Sequence, residues 1–291
     1  MLCPETVASM FSCIRRIYKQ SSQSNNPQHS DRAPSSTSRM SSILLIGGNG
    51  QLARHITKRF SSKGITVHSV IRNQDQVSEL TSLGASPILQ SVEDSSVSDF
   101  VKLIKNLKPS TVIWSAGAGA GHASPSRVKR VDHEGHIKVI DAVAQAAKEA
   151  GTTKRYITVS ALDVRDKDNK PVPDWYDEDD KKFSKMIWGM MGTYMRARYA
   201  SDKSLVEENG QRGLDYTIVR PGWLSQDPGT GNIAAGKVKV TKMVSREDVT
   251  AVVELCMKNS RTVGLAFDVA GGDVLIEEAV DKAADTFEGF H

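Results

Sequence analysis

Gly47, Gly50 and Ala53 recur at intervals of three in the stretch from Ser42 to Arg54. The chemistry that suits this spacing is pyrophosphate binding. Glycine leaves the backbone bare, so a phosphate can approach it closely. A helix opening at Gln51 would turn unpaired N–H groups and its positive dipole end toward the anion. The small side chain of Ala53 lets that helix pack tightly on the preceding strand. Gly47, Asn49, Gly50, Gln51 and Leu52 are therefore candidate cofactor-binding residues. A strand-to-helix turn that merely needs glycine reads the same way locally, so residues further along carry weight.

Arg72 is the first of these. It follows Thr66 to Ile71, roughly 20 residues beyond the glycine turn, where a protein choosing NAD usually has an acidic residue for the ribose hydroxyls. Arginine offers a forked, charged contact to a 2′-phosphate. NADP(H) is expected in preference to NAD(H), unless Arg72 is simply a solvated surface residue. A second run of small residues, Ala116 to Gly121 and then His122, follows Thr111 to Ser115. Its Ala116, Gly117 and Ala118 let the backbone pass close to a ribose or pyrophosphate, although a loop needing no ligand has the same composition.

Other groups attract attention for less. His133 and His136 stand one turn apart without a third ligand, and no metal site is expected. Asp177 to Asp180, followed by Lys181 and Lys182, reads as a solvated loop or a helix start rather than a cation site. Trp175, Met186, Trp188, Met190 and Met191 form an apolar patch. It belongs either to the core or to the wall or lid of a substrate pocket.

These residues need a frame in which strand ends meet helix starts. Ile43 to Ile46 is an unbroken apolar run, as in a strand buried on both faces. Further strands are predicted over 66–71, 87–90, 111–115, 155–161, 214–220 and 266–269, with a short element at 238–240. Helices are predicted over 50–62, 74–83, 93–107, 132–150, through Tyr194 to Leu205, from Ser245 to about Met257, and over 276–287. This alternation predicts an α/β fold, a doubly wound parallel sheet of the Rossmann type in the order 3-2-1-4-5-6-7. Residues 163–192 and 222–243 fall outside the alternation and are expected to form a small substrate lobe.

Composition sets the outer bounds. The chain of 291 residues is 39% hydrophobic and 25% charged, ordinary for a globular protein. No apolar run approaches the ~20 residues that cross a bilayer. Of the net charge of +4, residues 1–39 supply most, with five basic and two acidic side chains. The remainder is nearly neutral, and no nucleic-acid partner is expected. Cys3, Cys13 and Cys256 form no disulfide or metal pattern, which suits a reducing compartment. Residues 1–39 read as a leader ahead of one NAD(P)-binding domain over 40–291. The Ser-, Asn-, Gln- and Pro-rich part favours a disordered tail or an upstream extension. The basic, amphipathic start over Met10 to Lys19 also resembles a mitochondrial presequence. The expected location is cytoplasmic, or mitochondrial if that segment is a presequence.

Taken together, these motifs resemble the atypical short-chain dehydrogenase/reductases, in the branch of NmrA-like and biliverdin-IX-beta (flavin) reductase-like NAD(P)-binding proteins. The chain is similar to uncharacterised fungal members of that branch. The residues that carry the resemblance are Gly47, Gly50, Ala53, Arg72, Ala116 to Gly119, Val131 to Gly135, Arg155 to Ala161, Tyr194 to Asp202, Asp215 to Gly222 and Ser245 to Val249. The resemblance implies a Ser at the end of the fifth strand and a Tyr four residues before a Lys, which together deliver a proton to a carbonyl oxygen as hydride moves at the nicotinamide. Ser160 takes the first role. Tyr194 with Arg198 fits the family register, and Arg stands where Lys is expected; Tyr199 with Lys203 is the alternative register. Pro221, Gly222, Trp223 and Leu224 are implied to pass near the nicotinamide end. The implied activity is hydride transfer between NADP(H) and a small carbonyl or flavin-like substrate. Two other readings stay open: a non-catalytic NADP(H) sensor that binds a regulatory protein partner, and an epimerase- or dehydratase-like enzyme.

Overall fold

The alternation of side chains along the first strand dictates that helices must cover both faces of the sheet. In β1 (Ser42–Ile46), Ile43 and Leu45 enter one core and Leu44 and Ile46 the other, all fully buried. The computed structural model describes residues 41–119 and 123–286. The expectations for the leader, for Ala120 to His122 and for the chain end at Phe287 lie outside the described residues.

The remaining strands are β2 (Thr66–Ile71), β3 (Ala85–Leu89), β4 (Thr111–Trp114), β5 (Arg155–Val159), β6 (Asp215–Pro221), β7 (Leu224–Ser225), β8 (Asn232–Gly236), β9 (Val244–Ser245), β10 (Leu265–Gly271) and β11 (Val274–Leu275). Eight of them join β1 in one nine-stranded sheet in the order β11-β8-β10-β6-β5-β4-β1-β2-β3, and β7 pairs with β9. From β3 to β10 every neighbouring pair is parallel, as in the doubly wound sheet the alternation predicts. At the far edge β8 pairs antiparallel with β10, and β11 with β8.

The edge corrects the sequence reading, which placed a short element at 238–240. The strand is Asn232–Gly236, and Val238 and Val240 instead pack in a small apolar cluster with Leu162 and Tyr176. Its Ala234, Ala235 and Gly236 mislead because none is β-branched, and the backbone there is approached closely by the next turn. A Cβ on Gly272 would stand 2.5 Å from the Ala234 amide nitrogen.

The helices are α1 (Gln51–Ser61), α2 (Val77–Ser82), α3 (Val97–Leu107), α4 (Pro125–Val128), α5 (His136–Ala150), α6 (Glu178–Glu207), α7 (Asn209–Arg212), α8 (Arg246–Lys258) and α9 (Ile276–Asp285). One face is covered by α1, α8 and α9 through Ile56, Phe60, Val252 and Val280, and the other by α3 and α5 through Phe100, Ile104, Val139 and Val143. Two helix starts differ from expectation. Ser96 and Asp99 form a reciprocal cap, so α3 begins at Val97 rather than at Glu93. The helix expected from Asp132 is preceded by α4 and a π-helical turn, Lys129–Gly135, that runs into α5.

The acidic cluster at 177–180 is a helix start. Asp177 caps α6, accepting from the amides of Asp179 and Asp180, and Asp180 Oδ1 accepts from the Val240 amide at 3.1 Å. Non-helical angles at Met191 kink this helix, so its two halves point differently.

A carboxylate ties α1 to α8. Glu254, nearly buried, accepts from Lys63 at 2.6 Å and Lys258 at 2.7 Å and pairs with Arg59. Burial alone would raise its pKa, but these three cations override that and hold it down to about 2. Because the folded value lies below the unfolded one, the stabilisation is present above about pH 4.5 and is lost as pH falls toward 2. Glu254→Gln is expected to cost about 1–3 kcal/mol at pH 7. Thermal melts should show the gap between wild type and variant closing in acid; a gap independent of pH would refute the charge argument.

Candidate cofactor and active site

Gly47 sits at the carboxyl end of β1 with φ +84°, and its amide donates to Val70 O at 3.2 Å. A Cβ there would stand 2.5 Å from the Ala116 Cα, and one on Gly48 would stand 2.6 Å from the Ser69 Cβ. The bare backbone therefore lets β1, β2 and the loop after β4 converge. Gly50 is the N-cap of α1 and provides no side-chain cap, so the first amides of that helix stay available to an anion.

The crevice above this turn encloses about 260 Å³. Gly47, Asn49, Gly50, Arg72, Ala116, Gly117 and Ala118 all line it. Gln51 and Leu52 open α1, with Gln51 exposed and Leu52 packed inward. Bare glycines, an uncapped helix start and small side chains opposite are what a pyrophosphate and its flanking riboses require, and the residues present fit such a group.

Three residues hold the crevice in shape without having been singled out as site residues from the sequence. Asp132, buried in the π-helical turn, accepts from the Ala118 amide at 3.0 Å. Arg127 donates to the Ala118 carbonyl at 2.8 Å, so the small-residue loop is pinned on both sides. Glu93 pairs with Arg127 and Arg130, each at 3.2 Å, and with Arg72 at 3.6 Å. One carboxylate thus gathers three guanidinium groups at the rim. The legible signal for Asp132 was an acid on the apolar stripe of Val128, Val131 and Gly135.

On the α5 and α6 side of the sheet, the ends of β4 and β5 carry a buried polar layer. Ser160, just past β5, shares a hydrogen bond with Asp202 Oδ2. Arg198, one turn before Asp202, donates to the Val159 carbonyl. His136 stacks on Trp114 with ring centres 4.4 Å apart, and its Nδ1 lies 2.9 Å from Ser201 Oγ. Burial lowers the His136 pKa well below its usual value, so the ring is neutral. Burial raises the carboxyls of Asp132 and Asp202, against the opposing pull of Arg198.

Tyr194 packs against Ala118, Val128 and Val131, and so stands where this layer meets the crevice. Burial raises its pKa, and the nearby Arg198 charge opposes the shift. The other register points elsewhere. The Lys203 ammonium lies 5.9 Å from the centre of the Tyr199 ring, is partly exposed and faces Glu207 at 3.8 Å. Ser160, Tyr194 and Arg198 are brought together; Tyr199 and Lys203 are not part of that group.

The segment after β6 reaches back toward the crevice. Pro221 and Gly222 are held by Leu162 and Val269 through backbone bonds of 2.9 and 2.8 Å. Trp223 is exposed and meets Phe183 edge to face at 6.3 Å. Leu224 pairs with Val244, and two residues on, Gln226 donates to the Gln51 side chain at 3.2 Å. The apolar patch divides. Ile187 and Trp188 are core, with Trp188 donating to the buried Asp163 at 3.0 Å, while Met186 and Met190 remain exposed. His133 and His136 have no common ligand partner, and no group of three or more His, Cys, Asp or Glu gathers to hold a metal among the described residues.

Residues 47–260 match the model of a family described as NAD(P)H-binding. The chain belongs to this NAD(P)H-binding family. It is 32% identical over 241 residues to a UPF0659 protein of Schizosaccharomyces pombe, covering 83% of this chain and 94% of that one. It is 30% identical over 241 residues to an uncharacterized sugar epimerase of Bacillus subtilis, covering 82% of this chain and 99% of that one. Among solved structures, a Bacillus halodurans protein named for NAD-dependent epimerases/dehydratases is 28% identical with a TM-score of 0.64, covering 83% and 99% of the two chains. Among the described residues, no helix is long and apolar enough to cross a membrane.

Proposed function

We propose that this NAD(P)H-binding protein is an NADP(H)-dependent oxidoreductase of the atypical short-chain type, in the NmrA-like and biliverdin-IX-beta reductase-like branch, acting on a small carbonyl or flavin-like substrate. The observation that carries the reading is that Ser160, bonded to the buried Asp202, and the half-buried Tyr194, packed on Ala118 and Val131 of the crevice wall, both stand beside Arg198 and Asp202 although they come from distant parts of the chain. When bound, the nicotinamide supplies or accepts the hydride. The first amides of α1, with Gly47, Asn49 and Gly50, hold the pyrophosphate. Ala116 to Ala118 admit the riboses. Ser160 and Tyr194 hold the substrate oxygen and move its proton, while Arg198 keeps the local charge balanced. Pro221 to Leu224, with Trp223 turned outward, border the substrate.

A second reading, an epimerase-like enzyme that oxidises and re-reduces one substrate, is supported by the name of the Bacillus subtilis relative. A third, an NADP(H) sensor that signals to a protein partner, draws on Arg198 in the place of a lysine, since a guanidinium does not pass protons readily.

The test is a paired titration with NADPH and NADH, followed by menadione or flavin mononucleotide in the same cuvette. Tight NADPH binding with acceptor-dependent oxidation is expected. Binding without oxidation by any acceptor in a broad panel moves the weight to the sensor, and retention of cofactor through purification moves it to the epimerase. Arg72→Ala is expected to lower the NADPH/NADH affinity ratio by about tenfold, the size of one exposed charge-assisted contact to phosphate. An unchanged ratio would remove Arg72 from the account of cofactor choice.

A further inference from the structure

Asp202 has no place in the mechanism just described, yet it is the group that Ser160 touches. It is fully buried, and its Oδ1 has no hydrogen-bond partner among the described residues. Arg198 does not supply one, because its guanidinium donates to the Val159 carbonyl and its Nε and Nη1 are likewise without partners. An ionised carboxylate held this way would be poorly solvated.

Asp202 is faced by Arg198 and Tyr194 from α6, by Tyr156 from β5 and by Arg220 from β6, and Asp132 in the π-helical turn shares Arg198 and Tyr194 with it. Arg220 is engaged by Asp268 at 2.7 Å. His136 is neutral. Among the described residues, Arg198 is the one guanidinium that acts on both buried carboxyls, and Asp132 has Arg127 beside it as well. With Arg220 engaged by Asp268, Asp202 is the less compensated of the two. Asp132 accepts a backbone N–H from Ala118, which favours its ionised form. Asp202 has only the neutral hydroxyl of Ser160.

We infer that Asp202 is a protonated carboxyl that donates to Ser160 and so frees the Ser160 hydroxyl to protonate the substrate oxygen. This inference rests on the oxidoreductase reading. In the reductive direction a dihydronicotinamide is the two-electron donor and becomes oxidised. As the carbonyl π bond breaks, its oxygen takes the Ser160 proton, and Ser160 takes the Asp202 proton. The carboxylate left at Asp202 stands beside Arg198, and solvent returns the proton before the next turnover. Ser160 is the catalytic residue of this pair, and Asp202 positions and recharges it. The arrangement supplies the proton that an arginine in the lysine position cannot.

Infrared difference spectroscopy of the whole protein at pH 7 tests the proton without turnover. The carbonyl stretch of a protonated carboxyl is expected in the wild type, shifted in deuterium oxide, absent in Asp202→Asn and retained in Asp132→Asn. Ser160→Ala should move the band, which keeps the test open if Asp202→Asn fails to fold. No such band, or one indifferent to all three variants, overturns the inference. With 9,10-phenanthrenequinone as the probe acceptor, Asp202→Asn should lower kcat about 100-fold while NADPH affinity holds, with Asp202→Glu restoring part of the rate. An unchanged kcat would also overturn it. A wild type that carries the band but oxidises no NADPH would instead defeat the oxidoreductase reading.

Discussion

Gly47→Ala is expected to weaken NADPH binding by at least about 100-fold, or roughly 2.7 kcal/mol, in a protein that still folds. Two effects act at this position. The first is intrinsic: with φ at +84°, any L side chain is strained there by roughly 1–2 kcal/mol. The second is local, because the added carbon would lie 2.5 Å from the Ala116 Cα and 2.7 Å from its amide nitrogen. Backbone cannot rotate away as a side chain can. Either the glycine turn or the loop from Ser115 to Gly119 must move, and both line the crevice. Gly64→Ala separates the two effects. Gly64 has φ +74° but nothing within 4 Å of the added carbon. That variant should lose a comparable amount of stability to backbone strain and bind NADPH as the wild type does. Calorimetric or fluorescence titration of both variants decides the matter. If Gly47→Ala binds NADPH within a few-fold of wild type, the turn is only a structural corner.

The contrast between these glycines also marks what could be read from the sequence. Gly47 announces itself because an apolar strand precedes it and a helix pattern follows. The same rhythm of buried strand and amphipathic helix yields the order of the parallel strands, since right-handed crossovers leave few alternatives. The candidate crevice was legible where it is made of backbone: Gly47, Gly50 and Ala116 to Ala118, read from their composition, all line it. It was less legible where side chains from distant segments meet. Ser160 and Asp202 are 42 positions apart, and nothing local to either reports the other. The arginine gathering at Glu93 joins residues from three separate stretches, Arg72, Glu93 and the pair Arg127 and Arg130. The edge strand β8 was missed for a different reason. Its Ala234, Ala235 and Gly236 carry no β-branched signal, and Gly236 closes the strand with a φ of +91°.

Arg198→Ala is expected to be the most destabilising substitution in the polar layer, by about 3–5 kcal/mol, because it removes a buried charge and leaves its partner carboxylate uncompensated. At about 2–4 °C per kcal/mol for a domain near this size, Tm should fall by roughly 6–20 °C. The pH dependence tells charge from packing. Without Arg198 the carboxyl pKa values rise further above their unfolded value, so the variant loses stability as pH rises and its penalty shrinks in acid. A Tm deficit equal at pH 5 and pH 8 would mean that Arg198 acts only by filling space. Double variants then identify the counter-ion. If Asp202 already holds a proton, the charge that Arg198 balances is on Asp132. Asp132→Asn should therefore restore much of the stability lost in Arg198→Ala, even though it weakens the hold on the Ala118 amide. Asp202→Asn should restore little, because it removes no charge. The reverse ranking would place the proton on Asp132 and leave Ser160 facing a carboxylate. Ser160 would then be an acceptor toward Asp202 no longer, having spent its hydroxyl proton on it, and Tyr194 alone would have to protonate the substrate oxygen.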